Sequence, residues 1–555
     1  MATSSPLSDL PPSSTSQPNR LVGSVPRPVK EIPHELVQSL HAYYEEDLNA
    51  QGFDFVRAIT ANSVSPTNSL APVLIPPASH IALAATLSIH PNTTTRTEDP
   101  AKLAQSKAAF ELLRLLQRIA AYNIPWQRAF RYRKYENFFH VSPKTKRDVY
   151  AHIDTKNKYT EANSLFNRAN DFWAVVGWAF NCACLTEVYA SRWAFYEPFL
   201  NLMLDILESD FQHRAQEDTL DDSLLWSYIE LGSGGSGRSR RIIRAIFADG
   251  TTRYLNEFAS IFNKELRPPA KTKEERPVKR EADFDNDEFG EYFDPSSDNV
   301  SEEEADTRPS KRQRSTRRSQ PSSKASNESL NDAHSTDDAA AAGQSPALGS
   351  PETLRLRARL IRLLAEVVNH PSLFAHSPTT FVDRDELYTL FVEFIKPLPL
   401  PIFQEFILPN THTGRAFDAV THTRLCEAVL QRTLESRAPA MPDDGVPTAE
   451  RLIQCCLPYA ASGSGVEAQA KVALMIEAMT RKAYEERMLS GENGADVEVL
   501  RWATEEGVRK REDCAKEAMG TRKKGKRGSG NDDDAAWTAL RESGQRLRAL
   551  IQRIQ

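Results

Sequence analysis

The sequence has few cysteines and lacks any long uninterrupted apolar run, and each shortage excludes a class of protein. Six cysteines among 555 residues are too few and too unevenly spaced for a disulfide framework. None of them forms the C-x₂-C pair of a zinc site, so we expect a reduced, intracellular protein that binds no metal. The longest apolar run, residues 172–185, contains Asn181 and is shorter than the roughly 20 residues of a membrane-spanning helix. The sequence therefore predicts no membrane partner.

The first residues lack the basic stretch and following apolar stretch of a secretory signal, so secretion is not expected. Residues 1–30 are instead rich in serine and proline, a composition that predicts disorder. The net charge of −6 provides no overall basic field for nucleic acid. Charged residues are concentrated in separate blocks, and these blocks are more informative than the total charge.

Catalytic motifs are also missing. The chain contains no H-E-x-x-H, no G-x-S-x-G and no set of kinase signatures. The closest local acid–base pair, His152 and Asp154, is two residues apart and would point to different sides of a helix. We therefore expect neither an enzyme nor a cofactor or small-molecule substrate.

One glycine-rich stretch, GSGGSGRS at residues 232–239, matches two phosphate-binding patterns, with Arg238 in place of the P-loop lysine. A phosphate loop must follow a β-strand and open a helix. The preceding residues 218–231 have apolar residues at helical spacing, and residues 238–250 form a second helical pattern. We interpret the stretch as a flexible joint between two helices. The arginines that follow it are expected on a solvated face: Arg238, Arg240, Arg241 and Arg244.

Helical periodicity dominates the rest of the chain. The clearest helix is expected over residues 99–122, with Leu103 and Phe110 on its apolar stripe. A pair of helices should follow, ending with residues 193–211. Four large aromatic side chains are expected to pack between these helices: Trp173, Trp178, Phe180 and Trp193. A second region begins at residue 351, and prolines should interrupt its helices around residues 397–401.

These patterns predict an all-α fold with two irregular helical regions, residues 31–266 and 351–519, built from paired antiparallel helices. No fixed-period repeat is present, so a regular solenoid is not demonstrated and a solenoid-like arrangement stays open. A long charged disordered linker, residues 267–350, should join the regions. A disordered basic and acidic break, residues 520–534, should precede an amphipathic C-terminal helix at residues 535–555. The apolar stripe of that helix could dock on a partner or on its own domain.

The linker contains the most informative sequence. Residues 281–306 carry 12 acidic residues with aromatic residues between them, a pattern suited to a basic surface such as histone tails. The same block could instead fold back on the basic cluster beside it and mask that cluster. The basic residues that follow resemble a nuclear-import signal, and residues 522–527 could form a second one. Lys279 fits a short SUMO-acceptor pattern, and Ser301 precedes acidic residues as acidophilic kinases prefer. The import candidates are Lys311, Arg312, Arg314, Arg317 and Arg318.

Residues 126–147 are the best candidate for nucleic-acid contact. Basic side chains there could neutralise phosphates, while Phe130, Tyr132 and Tyr135 could stack on bases. The favoured alternative is an amphipathic segment whose aromatic residues are core and whose basic residues face water. The candidate phosphate contacts are Arg128, Arg131, Arg133 and Lys134.

Together these features favour a non-catalytic nuclear scaffold or adaptor that binds other proteins and an import receptor. The second hypothesis is a chromatin- or nucleic-acid-binding factor that uses residues 126–147 and the basic linker, with histones or nucleic acid as its ligands. A salt-sensitive interaction with bare DNA or RNA would separate the second hypothesis from the first.

Overall fold

The computed structural model describes residues 27–132, 157–160, 163–230, 232, 237–269, 348–370, 372–375, 381–441, 446–463, 465–489, 497–522 and 530–554. Most of the predicted linker, with its acidic and basic blocks, lies outside these residues. So do the predicted disordered residues 1–26 and the break at 523–529.

The N-terminal region contains helices and two short strands. β1 (Val29–Glu31) and β2 (Val73–Ile75) pair in parallel, with Val29 opposite Val73. The first helices are α1 (His34–Glu45), α2 (Asn49–Ser63), α3 (Ala78–Ile89), α4 (Pro100–Ala120) and α5 (Trp126–Ala129). They are followed by α6 (Leu165–Arg168), α7 (Phe172–Cys184), α8 (Val188–Glu217), α9 (Leu224–Glu230), α10 (Arg238–Ile246) and α11 (Thr252–Glu257).

The C-terminal region is helical as well. Its elements are α12 (Pro351–Val368), α13 (Ser372–Ala375), α14 (Arg384–Ile395), α15 (Leu400–Ile407), α16 (Ala419–Gln431), α17 (Ala449–Arg451) and a π-helical turn (Leu452–Cys456). The last three helices are α18 (Val466–Glu485), α19 (Val497–Arg522) and α20 (Gly530–Gln552). The predicted all-α fold is confirmed.

Capping residues explain several helix boundaries. Asp99 precedes α4 and its carboxylate accepts a hydrogen bond from the Ala101 N–H at 2.9 Å, with Pro100 at the first helical position. Asp171 caps α7 in the same way, accepting from the Ala174 N–H at 2.6 Å. Such caps satisfy N–H groups that the first helical turn leaves without a partner.

The two strands are a feature that sequence reasoning missed. Residues 1–30 were expected to be disordered, yet Val29 and Lys30 belong to β1. Each strand has three residues and lies next to a proline, so it is too short for alternation to be recognised. Backbone hydrogen bonds hold the two strands together; among them, the Val73 N–H donates to the Pro28 carbonyl at 2.8 Å.

The core of the N-terminal region lies between α2, α3 and α4 and between α7 and α8. Trp173, Trp178 and Phe180 are buried, and Trp193 is partly buried against the same core, as expected. Leu103 was expected on the apolar stripe of α4 but is 39% exposed. It lies in the first turn of that helix, before the segment that packs on α2 and α3.

The helices before and after the linker belong to one compact unit. Arg357 on α12 is buried and donates to the carbonyl oxygens of Ile246 and Ala248 at the end of α10. Arg359 on the same helix donates to Glu208 at 2.9 Å and to Asp205 at 2.6 Å, both on α8. The two helical regions are therefore joined by buried and half-buried polar contacts as well as by apolar packing.

The C-terminal helix docks on its own domain. α20 packs along α18 and α19, and Leu540, Leu547 and Ile551 are buried there. The sequence left open whether the apolar stripe of this helix docks on a partner or on its own domain, and this contact shows the second. The helix begins at Gly530 rather than residue 535, and α19 ends at Arg522 rather than residue 519. In the part of the chain that the structure describes, no helix is both long enough and apolar enough to cross a membrane.

Candidate functional site: a polar groove between two long helices

A groove of about 480 Å³ lies between α4 and α8. Side chains of α4 form one wall and side chains of α8 form the other. The lining residues are Phe110, Arg114, Gln117, Arg118, Glu197, Pro198, Asn201, Leu202 and Asp205.

The α4 wall is basic. Arg114 and Arg118 are four residues apart, so they project from the same face of the helix. Both side chains are exposed, and within the described residues neither forms an ion pair. The Arg114 guanidinium carbon lies 5.9 Å from the centre of the Phe110 ring, an arrangement that holds the group near the apolar part of the wall.

The α8 wall is acidic, and most of it is already compensated by α12. Asp205 accepts a hydrogen bond from Arg359 Nη2 at 2.6 Å, and the Asn201 side-chain oxygen accepts from Arg359 Nη1 at 3.2 Å. Glu197 has a different environment. Burial, with repulsion from Glu352 as the second cause, raises the pKa of the Glu197 carboxyl. Glu197 is therefore the acid of this wall that lacks a compensating cation among the described residues.

Proline contributes to the same wall. Pro198 lies inside the 30-residue helix α8 and has no N–H group. The carbonyl of Ala194, four residues earlier, therefore loses its helical hydrogen-bond donor.

A buried polar network fixes α8 in position. Arg192 donates to Glu265 at 2.8 Å and to the Ile89 carbonyl at 2.6 Å. Trp178 Nε1 and the Tyr196 hydroxyl also donate to Glu265, at 3.0 Å and 2.9 Å. Because α8 is anchored by this network just before Glu197, the acidic wall of the groove has a defined place relative to the core.

Sequence reasoning missed this network and the groove. Arg192 and Glu265 are 73 residues apart, and no local pattern connects them. The arginine pair on α4 was visible as two cations at helical spacing on the polar side of a strong apolar stripe. That signal could have marked α4 as a basic surface, although not as one wall of a groove.

The predicted nucleic-acid segment is only partly described. Arg128 and Arg131 are exposed, while Arg133, Lys134 and Tyr135 lie outside the described residues. Phe130 and Tyr132 are buried: Phe130 stacks on Phe166 with ring centres 5.4 Å apart, and Tyr132 contacts Tyr228. The prediction that Phe130 and Tyr132 stack on bases is therefore wrong. The alternative, that these aromatic residues belong to the core, is confirmed for both.

The import residues Lys311, Arg312, Arg314, Arg317 and Arg318 lie outside the described residues, and so do Lys279, Ser301, His152 and Asp154. Of the second import candidate, only Arg522 belongs to a described element, the end of α19.

The glycine-rich stretch lies between two helices, as expected. α9 precedes it and α10 follows it, and the inward residues of α10 are buried, Ile242, Ile243 and Ile246 among them. The expectation that the arginines of α10 form a solvated face is wrong for two of them. Arg241 pairs with the helix cap Asp171 at 2.8 Å, and Arg244 pairs with Glu257 at 2.8 Å. Asp171 lies 70 residues earlier in the chain, so the sequence could not reveal the pair.

Histidine and cysteine side chains do not gather into a metal-binding group anywhere in the described ranges. Burial lowers the pKa of His80 to about 3 and that of His422 to about 4, so both are neutral at physiological pH. The cysteines are free thiols, and burial raises the pKa of each of them.

No protein-family model matches this chain, and no curated protein matches it with significant similarity.

Proposed function

We propose that this chain is a non-catalytic nuclear α-helical scaffold or adaptor, and that the α4–α8 groove is a docking surface for a protein partner. The observation that carries the proposal is the groove itself. Arg114 and Arg118 face Glu197 across an open space of about 480 Å³, and none of the three has an ion-pair partner among the described residues. Charges that the fold leaves uncompensated are available to a ligand.

The linker fits the same role. Both of its ends enter one compact unit, through Glu265 on one side and through Arg357 and Arg359 on the other. An import receptor needs an extended basic stretch such as residues 311–318, and a linker held at both ends would present it without dividing the body. The acidic residues 281–306 would supply a second, regulated docking segment.

Affinity purification from nuclear extract tests the scaffold proposal. The tagged full chain is compared with R114Q/R118Q, and each sample is treated with and without nuclease before mass spectrometry. We expect a set of protein partners that survives nuclease and loses at least one member in the double variant. K107Q is the matched control because Lys107 is also an exposed cation of α4 but does not line the groove. Partners that all disappear with nuclease would contradict the proposal.

The alternative function is direct nucleic-acid or chromatin binding. It is supported by the exposure of Arg128 and Arg131, although the burial of Phe130 and Tyr132 removes the stacking contribution. In this case binding to bare DNA should weaken steeply with salt, because phosphate contacts release counterions. It should also weaken when Arg128 and Arg131 are changed to glutamate. A Kd unaffected by either change would exclude this alternative.

Nuclear import is tested separately in a fluorescent fusion. Arg312, Arg314, Arg317 and Arg318 are changed to alanine, alone and together with deletion of residues 522–527. We expect the nuclear signal to fall in the first variant and to be lost in the second. An unchanged signal in both variants would refute the import assignment.

A further inference from the structure

We infer that the α4–α8 groove binds a phosphorylated serine or threonine of a partner peptide through Arg114 and Arg118, with a neighbouring cation of that peptide at Glu197. This inference rests on the proposed docking function and specifies the chemistry of the docked segment.

The arginine pair is the first argument. Guanidinium groups bind phosphate oxygens through two parallel N–H bonds, and their planar fork is well suited to that geometry. Arg114 and Arg118 supply two such groups from one helix face, and the described fold uses neither in an ion pair. A phosphoserine carries a charge of about −1.5 to −2 at pH 7, which matches two cations, whereas a carboxylate matches one.

The state of the acidic wall is the second argument. Asp205 is held by Arg359, so its charge is already compensated from within the fold. Glu197 is left next to Glu352, and burial and repulsion both disfavour its charged form. A cation on the ligand would relieve that repulsion.

The dimensions of the groove are the third argument. Its volume of about 480 Å³ falls within the range of small-ligand pockets, roughly 300–1,000 Å³. Such a space holds a short stretch of peptide rather than a whole helix or a duplex. Phe110 on the α4 wall and Leu202 on the α8 wall supply apolar surface, which can cover the aliphatic part of a lysine side chain.

The test uses purified full-length protein and an array of short peptides. Each peptide has a central serine, phosphoserine or glutamate, with lysine placed in turn at every flanking position. The best phosphopeptide is then labelled with fluorescein and its Kd is measured by anisotropy. We expect the phosphorylated form to bind at least about tenfold more tightly than the serine form, and more tightly than the glutamate form. Equal binding of the phosphorylated and unmodified peptides would overturn the inference.

Matched variants locate the binding site. We expect R114Q and R118Q each to weaken phosphopeptide binding by about tenfold, and K107Q to leave it unchanged. E197Q should weaken binding of the phosphopeptide that carries lysine. It should not weaken binding of the same phosphopeptide with alanine in place of that lysine. Arg114, Arg118 and Lys107 are exposed, so thermal unfolding of these variants should match that of the wild type. Equal losses in K107Q and R114Q would show a diffuse charge effect and refute the site.

Phosphatase treatment of the nuclear extract separates this inference from the docking function. Partners that are lost in R114Q/R118Q and also after phosphatase treatment support both docking at the groove and phosphate recognition. Partners lost in the double variant but retained after phosphatase refute phosphate recognition and leave the docking function standing. A partner set that the double variant does not change refutes docking at the groove.

Discussion

Arg192 and Glu265 form an ion pair whose two side chains are completely buried, with Arg192 Nη2 2.8 Å from Glu265 Oε1. Glu265 also accepts from Trp178, Tyr196 and the backbone N–H groups of Ile261 and Phe262. The pair joins the middle of the N-terminal region to the residues that lead into the linker. Its full set of hydrogen bonds is the condition under which a buried ion pair is tolerated.

Removing one partner of this pair should destabilise the protein strongly. We expect E265Q to lower the free energy of unfolding by ~3–5 kcal/mol, because the Arg192 charge would stay buried without compensation. Urea unfolding monitored by circular dichroism measures the change. The control is E111Q, which breaks the more exposed pair between Glu111 and Arg57 and should cost less than ~1 kcal/mol. Similar losses in both variants would contradict the structural role of Glu265.

The contacts of α12 with the N-terminal region predict the behaviour of a cleaved chain. A protease site inserted between residues 320 and 340 should allow the linker to be cut while both fragments elute together on size exclusion. We expect this because buried Arg357 donates to the Ile246 and Ala248 carbonyls, and Arg359 to Asp205 and Glu208. The R357M/R359Q variant should release the fragments more readily. Separation of the wild-type fragments at micromolar concentration would show that the two regions do not share a stable core.

Two glycines of α19 predict opposite effects of the same substitution. A Cβ atom at Gly507 would lie 1.7 Å from the Leu457 carbonyl oxygen, whereas a Cβ at Gly520 would have no neighbour within 4 Å. We expect G507A to lower the free energy of unfolding by ~1–3 kcal/mol or more through overpacking. G520A should raise it by up to ~1 kcal/mol, because alanine favours the helix. Thermal unfolding of the two variants compares them directly, and a stabilising G507A would contradict the close packing.

Acid sensitivity should depend on His80. Burial, with a smaller effect of His41, lowers the pKa of His80 from 6.5 to about 3, and both ring nitrogens lack a hydrogen-bond partner among the described residues. The unfolded chain takes up a proton near pH 6.5, whereas the folded protein does not until about pH 3. The contribution of neutral His80 to the free energy of unfolding is therefore complete above pH 6.5 and is lost as the pH falls towards 3. In that range the free energy of unfolding falls by up to ~1.4 kcal/mol per pH unit.

The H80F variant tests this dependence. Phenylalanine does not titrate and keeps an aromatic ring against Tyr44, so the free energy of unfolding should fall less steeply between pH 6 and 4. H34Q is the control because His34 is exposed. If H80F and the wild type have the same pH profile, His80 does not govern acid unfolding in this range.

The helices were largely predictable because their signal is local. The apolar spacing of α4, the inward isoleucines of α10 and the aromatic residues of α7 repeat within a few residues, and each of these helices forms where it was expected. The short strands were not predictable in this way, because each has three residues and depends on a partner more than 40 residues away along the chain.

For the charged residues too, the helical position was predictable from the sequence but the ion-pair partner was not. From the sequence, the arginines of α10 are cations on the polar face of a helix, and the arginines of α12 interrupt an apolar stripe. The structure pairs Arg241 with Asp171 and Arg359 with Glu208, which are 70 and 151 residues apart. It leaves Arg114 and Arg118 without such a pair in the described chain. Pattern alone could not separate the paired arginines from the free ones.

The sequence by itself therefore determined the all-α class, the positions of the main helices and the absence of a strand before the glycine-rich stretch. These follow from the period of apolar residues and from capping residues, which act over one or two turns. Tertiary structure alone decided that α20 docks on its own domain, that both helical regions share one unit and that a polar groove opens between α4 and α8. Those outcomes depend on which helix faces meet and on the charges each contact neutralises, and such matches join residues that are distant in the chain.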